Sequence, residues 1–249
     1  MENMAWFKEY VTANQPDGRW NAAADCAVRV CLSLEDEMAK QHVIAWADSL
    51  IAADSCTPAC GKALFAALAA TGDEKYREAI EGVMADVGRE PLDVIDSAEA
   101  MYAVLPFRMA YEMKLNRMER VGQTAAMFRS VHQRLWNAKA SRHEATLLEE
   151  GWFLLGLTDA IAICSDQLYE HWRAMVDIYR ETLRGVLREL ETADSQMLAL
   201  LLYALVAGVE MGLIDPERYL PVARRGIASL RESGENWAAD ILEEGVAVL

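Results

Sequence analysis

Two kinds of helical pattern alternate along this sequence, and the alternation restricts the folds that it can adopt. In the first kind, apolar residues recur every three or four positions with charged residues between them, which is typical of a helix with one buried face. It covers residues 36–52, 118–136 and 167–190. In the second kind nearly every position is apolar, and such a helix must be enclosed by protein on all sides. It covers residues 59–70, 100–110, 151–164 and 197–213.

The segments between these patterns carry helix-stop signals, and none shows the alternation that is typical of strands. Combinations such as Asp215-Pro216 and Ser233-Gly234 separate successive helical patterns. We therefore predict twelve helices and almost no strand. They cover about residues 2–14, 20–33, 36–52, 58–71, 74–88, 97–114, 118–136, 148–164, 167–190, 195–213, 216–232 and 236–248.

A weak internal repeat supports this division. Residues 73–76, 166–169 and 215–219 each begin with Asp and end with Tyr at the start of an amphipathic pattern. The Asp can cap the new helix while the Tyr begins its buried stripe. Repeated helical hairpins can stack as an open solenoid or close into a ring, and two nested rings of six helices explain the alternation better. The sequence thus predicts an all-α fold, an (α/α)6 barrel, in a single domain over residues 1–249.

The charge and cysteine content exclude several classes of protein. The chain has 24 Lys and Arg against 39 Asp and Glu, a formal net charge of −15, whereas nucleic-acid binding requires clustered basic residues. The longest apolar run, residues 197–209, is shorter than the roughly 20 residues of a membrane span. The start of the sequence lacks a signal-peptide pattern, and the five cysteines include no CxxC. We expect a reduced, cytoplasmic protein that binds no nucleic acid, membrane or metal ion.

Four segments carry motifs whose order along the chain is informative. They are residues 63–76 (ALFAALAATGDEKY), residues 95–107 (IDSAEAMYAVLPF), Glu150-Gly151-Trp152, and residues 194–213, which begin with DSQ. In this order they resemble motifs of the unsaturated glucuronyl and rhamnogalacturonyl hydrolases, glycoside hydrolase families 88 and 105. The resemblance extends from about residue 58 to residue 230. It implies the same six-hairpin barrel.

The resemblance also implies a reaction. These enzymes remove an unsaturated uronic acid from the non-reducing end of an oligosaccharide left by a polysaccharide lyase. An aspartic acid protonates the vinyl-ether carbon, water adds to the neighbouring carbon, and the resulting hemiketal breaks down. That acid must hold its proton near neutrality, which a raised pKa beside a second carboxylate provides. An oligosaccharide with an unsaturated uronyl end is therefore the expected partner, without a cofactor.

The resemblance assigns the catalytic Asp of the family to Glu99, counting back from Pro106, and Asp96 lies one helical turn earlier. Carboxylates three residues apart on a helix are neighbours, so one of the two can be pushed toward its protonated form. A structural role fits as well, because Asp96-Ser97-Ala98-Glu99 is also a capping-box sequence. Both interpretations remain open at this stage.

The sequence departs from the family where the proton donor is expected. The family has a His-Gly-Trp-Asp segment after the helix that here ends at Trp136, whereas this chain has only residues 137–145. Their His143 and Glu144 are interpreted as a shortened remnant, with His143 a candidate catalytic residue and Glu144 a candidate substrate-binding residue. Glu150 takes the position of the Asn in the family's Arg-Gly-Asn-Gly-Trp motif and is a further candidate for substrate binding.

A uronate substrate requires a cation, usually a forked Arg. Arg108 and Arg142 are the candidates near the matched segments. Arg108 either reaches the barrel axis or pairs with Glu112, or it packs its stem along the barrel and places its head in solvent. Trp152 is either a sugar-stacking platform or part of the core. The other histidines, His42, His132 and His171, are expected to be surface or packing residues of outer helices.

Three functions are compatible with the sequence. The first is a carbohydrate-active hydrolase of the unsaturated-uronyl type. The second is a non-catalytic relative that keeps the barrel and binds a sugar or a protein partner. The third is a helical ring that binds an apolar or isoprenoid ligand along its axis. The first predicts a polar, open pocket where the inner helices begin, the second a shallow or plugged pocket, and the third an aromatic cavity.

Overall fold

The computed structural model describes residues 12–13, 15–33, 36–88, 98–164, 168–188, 190 and 193–234. The predicted helices over residues 2–14 and 236–248 and the candidate Asp96 lie outside this part of the chain. The chain divides into two compact units, residues 1–91 and 92–249, which are described separately. Within the described residues there are ten α-helices, one 3-10 turn and one short β-hairpin.

The first unit contains four helices. They are α1 (Ala22–Ser33), α2 (Glu37–Ala52), α3 (Gly61–Thr71), which follows the 3-10 turn Pro58–Cys60, and α4 (Glu74–Val87). Acidic caps begin two of these helices: Asp36 accepts hydrogen bonds from the backbone N–H groups of Met38 and Ala39, and Asp73 accepts one from Lys75. Such caps satisfy donors that have no partner inside the helix. The chain turns between α3 and α4 at Gly72, whose φ is 69°.

The second unit contains six helices and the hairpin. They are α5 (Ala98–Lys114), α6 (Val121–Leu135), β1 (Trp136–Asn137), β2 (Arg142–His143), α7 (Leu147–Ile163), α8 (Tyr169–Val186), α9 (Ser195–Glu210) and α10 (Pro216–Glu232). Nearly every helix ends within two or three residues of the predicted boundary, because Asp, Gly and Pro mark the ends in the sequence.

The two predicted kinds of helix are both present in the second unit. All nine residues from 153 to 161 in α7 are buried, so this part of the helix is enclosed on every side. In α8, by contrast, Met175, Tyr179 and Leu183 are buried whereas Arg173 and Asp177 are exposed. Helices α5 and α7 approach closely at Gly156, where an added Cβ would lie 2.9 Å from the Cα of Tyr102. The absence of a side chain at Gly156 permits this contact.

The repeat predicts two of its three caps correctly and one of the tyrosines wrongly. Asp73 and Asp215 cap α4 and α10, and the tyrosines that follow them, Tyr76 and Tyr219, are 1% and 8% exposed. The third Asp of the repeat, at position 166, lies outside the described residues, and the N-cap residue of α8 is Leu168. Tyr169, at the start of α8, is 57% exposed and stacks on Trp172 instead. The buried residues of α8 begin nearly two turns later, so the first turn projects the Tyr169 ring into solvent.

The hairpin between α6 and α7 is the part of the fold that positions the candidate site. Trp136 pairs with His143 and Asn137 with Arg142 in an antiparallel register. Helix α8 packs against the hairpin at Gly185, where an added Cβ would lie 2.8 Å from the carbonyl oxygen of Ser141. The sequence predicts no strand here, because two-residue strands are too short to show a period.

Candidate functional site

A polar pocket lies between the hairpin and the start of α7. Its cavity volume is about 570 Å³, within the range of ligand sites, and it opens to solvent. The lining residues are Asn137, Ala140, Arg142, His143, Glu144, Ala145, Thr146 and Glu149. The pocket therefore offers amide, hydroxyl, carboxylate and guanidinium groups along one short segment of chain.

Hydrogen bonds fix most of the polar groups around this pocket. The Asn137 amide donates to Glu144 Oε1 at 2.7 Å. Thr146 and Glu149 form a capping box: the Thr146 hydroxyl accepts from the Glu149 N–H, and Glu149 Oε2 accepts from the Thr146 N–H at 2.8 Å. The carboxylates of Glu144 and Glu149 therefore already accept hydrogen bonds from protein groups. Arg142 is exposed at the same rim.

A row of four titratable side chains begins behind the pocket wall. His132 Nδ1 of α6 lies 2.8 Å from His143 Nε2 of β2, and His132 Nε2 lies 3.2 Å from Glu181 Oε2 of α8. Glu150 of α7 continues the row, since its Oε1 accepts a hydrogen bond from the His143 backbone N–H at 3.0 Å. The same carboxylate oxygen is 3.6 Å from His143 Nδ1. We call this set, Glu181, His132, His143 and Glu150, the His–Glu row.

Burial differs strongly along the His–Glu row. The side chains of His143 and Glu150 are 0% and 1% exposed, that of His132 is 9% exposed, and that of Glu181 is 45% exposed. The row thus leads from a solvent-accessible carboxylate to a fully enclosed one. Among the described residues, His143 Nδ1 has no hydrogen-bond partner.

Aromatic rings enclose the two imidazoles and keep water away from them. The Trp136 ring centroid lies 5.0 Å from that of His132 and 5.7 Å from that of His143, and Phe153 packs edge-on against His143 at 5.1 Å. This desolvation lowers the pKa of His143 to about 4, with a further contribution from the charge of His132. Burial also lowers the pKa of His132, although its hydrogen bond to Glu181 opposes that shift. Both rings are therefore held neutral near pH 7.

The structure brings some of the predicted site residues together and separates others. His143, Glu150, Arg142 and Glu144 lie in or against the hairpin. Trp152 lies elsewhere: two helical positions after Glu150, it faces nearly the opposite side of α7 and packs against Tyr102 of α5, with ring centroids 4.9 Å apart. Trp152 and Glu150 therefore do not line one common cavity.

Two of the remaining candidates, Arg108 and Glu99, lie on α5. Arg108 is 4% exposed, so a guanidinium head in solvent does not fit its position. Burial lowers the pKa of Arg108, whereas the negative charge of Glu112, one turn later, raises it. Glu99 belongs to the first turn of α5, which begins at Ala98; its role remains a prediction, as does that of Asp96.

Sequence reasoning did not single out two members of the His–Glu row as site residues. His132 was expected to be a surface residue or a packing residue with its polar groups satisfied; it is 7% exposed and contacts two titratable groups. It follows Phe128 by four residues and so lies on the buried stripe of α6, which is the signal that could have identified it. Glu181 gives no such signal, because it meets His132 across 49 residues of sequence.

The described part of the chain contains no group of three or more His, Cys, Asp or Glu side chains placed to hold a metal ion. None of its helices is both long enough and apolar enough to cross a membrane.

Comparisons with known proteins bear on the fold. No protein-family model matches the sequence, and no curated protein matches it significantly. Among solved structures, a family 105 glycoside hydrolase of C. acetobutylicum ATCC 824 matches with a TM-score of 0.76 at 13% identity, over 92% of this chain and 83% of that one. A polysaccharide lyase matches with a TM-score of 0.66 at 13% identity, over 88% of this chain and 82% of the lyase.

These likenesses confirm the predicted fold class, an all-α helical toroid of the (α/α)6 type. They also confirm, for the fold, the resemblance to glycoside hydrolase families 88 and 105 that the sequence motifs carry. At 13% identity they establish the architecture and leave the reaction to the residues of the site.

Proposed function

We propose that this protein is a carbohydrate-active hydrolase that releases an unsaturated uronic acid from oligosaccharides produced by a lyase. The observation that carries the proposal is the polar pocket at the start of α7. It is formed by the segment that stands where the resembled families carry their His-Gly-Trp-Asp motif, and it contains groups that hydrogen-bond sugar hydroxyls. Its location at the beginning of an enclosed helix is the one that the hydrolase hypothesis predicts.

The reaction adds water across the double bond of the unsaturated sugar. A proton is transferred to one alkene carbon, and a water molecule, losing a proton to a base, bonds to the other alkene carbon, which carries the ring oxygen. The resulting hemiketal opens the sugar ring and leaves a hemiacetal at the anomeric carbon, and breakdown of this hemiacetal releases the remaining oligosaccharide. An acid, a base and a cation for the uronate are therefore required. Glu99 is proposed as the acid, with Asp96, three residues earlier in the sequence, as the second carboxylate, and Arg142 at the pocket rim is proposed as the cation.

The His–Glu row has a different role in this proposal. Because the side chains of His143 and Glu150 are 0% and 1% exposed, neither touches a substrate in the pocket as it stands. They position the hairpin, since Glu150 holds the backbone of His143 next to Arg142. This burial also favours the second candidate function, a sugar-binding protein without catalysis, over a mechanism in which His143 donates the proton directly.

One experiment separates the two functions. The protein is incubated with unsaturated disaccharides from a polysaccharide lyase, and loss of the ultraviolet absorbance of the conjugated double bond is followed. Substitution Arg142→Gln should raise KM about tenfold or more, because a charge-assisted bond to the uronate is lost. The matched control Arg224→Gln, at an exposed position of α10, should leave KM unchanged. Binding of the disaccharide by NMR without loss of absorbance would favour the non-catalytic function, and the absence of both would refute the proposal.

A further inference from the structure

The hydrogen atoms in the His–Glu row can be assigned from its geometry. A carboxylate only accepts hydrogen bonds, so the contact between Glu181 and His132 places the hydrogen of His132 on Nε2. A neutral His132 then presents Nδ1 as an acceptor, and the 2.8 Å contact places the hydrogen of His143 on its Nε2. In this arrangement both hydrogen bonds point outward, toward Glu181.

At the inner end of the row, this assignment leaves no hydrogen between His143 Nδ1 and Glu150 Oε1. With its hydrogen on Nε2, His143 directs the Nδ1 lone pair at Glu150 Oε1, 3.6 Å away, and Nδ1 has no other partner among the described residues. Two lone pairs facing each other in an enclosed site repel, and both atoms have lost their contact with water. One hydrogen between them would remove the repulsion and give His143 Nδ1 a partner.

We propose that the His–Glu row is a proton path that exchanges one proton between the buried Glu150 carboxyl and solvent at Glu181. The path needs three transfers in the outward direction. Glu150 gives its proton to His143 Nδ1, His143 gives the proton on Nε2 to His132 Nδ1, and His132 gives the proton on Nε2 to Glu181. The proton then leaves to water, both imidazoles carry their hydrogen on Nδ1, and Glu150 is a carboxylate.

The surroundings of the row suit this exchange. Neither imidazole is charged at the start or the end, which agrees with the lowered pKa values of His132 and His143. Contacts to the two rings come from three elements: Glu181 from α8, Glu150 and Phe153 from α7, and Trp136 from β1. Glu181, 45% exposed, can turn toward water once His132 no longer donates to it.

Proton exchange at Glu150 would affect the pocket through the hairpin. Glu150 Oε1 also accepts the backbone N–H of His143, and Arg142 and Glu144 of the pocket wall flank that residue. Gain or loss of the Glu150 proton therefore changes the bond that fixes this part of the wall. The proposal does not depend on a sugar substrate, and it is tested without one.

The test is an NMR titration of the histidine rings in the ligand-free protein, labelled with 15N. At pH values above the His143 pKa of about 4, the rings of His132 and His143 should change together from the Nε2–H form to the Nδ1–H form as the pH rises, without an imidazolium signal. His42 is an internal control: its Nε2 accepts from the Trp46 indole at 3.0 Å, so it should remain Nδ1–H over this range. Fixed tautomers at His132 and His143, or separate titration to imidazolium within this range, would overturn the proposal.

Infrared spectroscopy provides a second measurement. The protonated carboxyl of Glu150 should give a carbonyl-stretch band that disappears at high pH in step with the tautomer change. The band should be lost in Glu150→Gln and kept in Glu149→Gln, the matched control one residue earlier on the exposed side of α7. A band that survives in a folded Glu150→Gln protein contradicts the assignment. Should that variant not fold, the pH titration of the band in the unsubstituted protein still decides.

Discussion

His132 Nδ1 lies 2.8 Å from His143 Nε2, and this contact joins the end of α6 to the second strand of the hairpin that follows it. The contact fixes how the hairpin returns against its own helix. Glu150 holds the backbone of His143 from the α7 side, so the hairpin is anchored on both sides by buried polar groups. Substitutions of His132, His143 or Glu150 should therefore alter both the stability of the protein and the shape of the pocket wall.

The first prediction is that acid weakens the fold through His143. Its pKa is lowered from 6.5 to about 4, so between these values the unfolded chain binds more protons than the folded one. The free energy of unfolding then falls as the pH falls through this range, by about 3 kcal/mol at most for this group. Urea unfolding at a series of pH values should show a flatter profile in His143→Gln. Equal slopes for the two proteins would mean that His143 is not the group responsible.

The second prediction concerns Gly185, against which the hairpin rests. In Gly185→Ala the new Cβ would lie 2.8 Å from the carbonyl oxygen of Ser141 and 3.3 Å from the Cα of Arg142. These are mainly backbone atoms, which cannot move aside without displacing β2. We expect a loss of about 1–3 kcal/mol in unfolding free energy, although Ala favours helix by about 1 kcal/mol over Gly.

The control for this substitution is Gly82→Ala in α4. No heavy atom lies within 4 Å of a Cβ added there, so only the helix propensity changes. Its melting temperature should rise slightly while that of Gly185→Ala falls. If both variants gain stability, the close contact between α8 and the hairpin does not exist in solution.

The third prediction tests the packing of α8 against the enclosed helix α9. The Tyr179 hydroxyl donates to the carbonyl oxygen of Ala204 at 2.7 Å, and burial raises the pKa of this phenol above its usual value. Tyr179→Phe should cost about 1 kcal/mol of unfolding free energy, the net value of one buried hydrogen bond. Tyr169→Phe, at a ring that is 57% exposed, serves as the comparison and should cost little. Equal losses in the two variants would contradict this account of Tyr179.

Much of the fold could be predicted because its signals are local. Asp73 and Asp215 cap the helices that they precede in the sequence, and the stretch of α7 over residues 153–161, which is apolar on every side apart from Thr158 and Asp159, is buried throughout. Tyr169 shows the limit of such reasoning. Its position in the repeat matches that of Tyr76, yet only the surrounding helices determine which ring is buried.

The site could be predicted less well, because side chains distant in sequence form it. His143 lies on the short segment that departs from the family pattern and Glu150 takes the position of the family's Asn in the next motif, so the sequence drew attention to both. Helical geometry alone separates Glu150 from Trp152, since two positions on a helix differ by about 200°. The contact between His132 and Glu181, by contrast, depends on how α6 and α8 pack. No spacing in the sequence encodes it.

The last prediction concerns the proposed general acid, Glu99. Its position in the first turn of α5 agrees with the boundary predicted from the sequence, and the resemblance assigns it the place of the family's Asp. Glu99→Gln keeps the shape of the side chain and removes the proton that titrates. The rate of disappearance of the double bond should fall about 10²-fold or more, as for a general acid–base residue.

Asp96→Asn is the matched comparison for Glu99→Gln, because Asn caps helices nearly as well as Asp does. It should reduce the rate much less if Asp96 acts as a cap, and both variants should melt close to the parent temperature. Parallel rate assays and melting curves therefore distinguish a lost proton from a damaged fold. If Glu99→Gln hydrolyses the unsaturated disaccharide as fast as the parent, Glu99 is not the acid. The donor must then be sought in residues 142–144, where the chain replaces the family's donor segment with a shorter one.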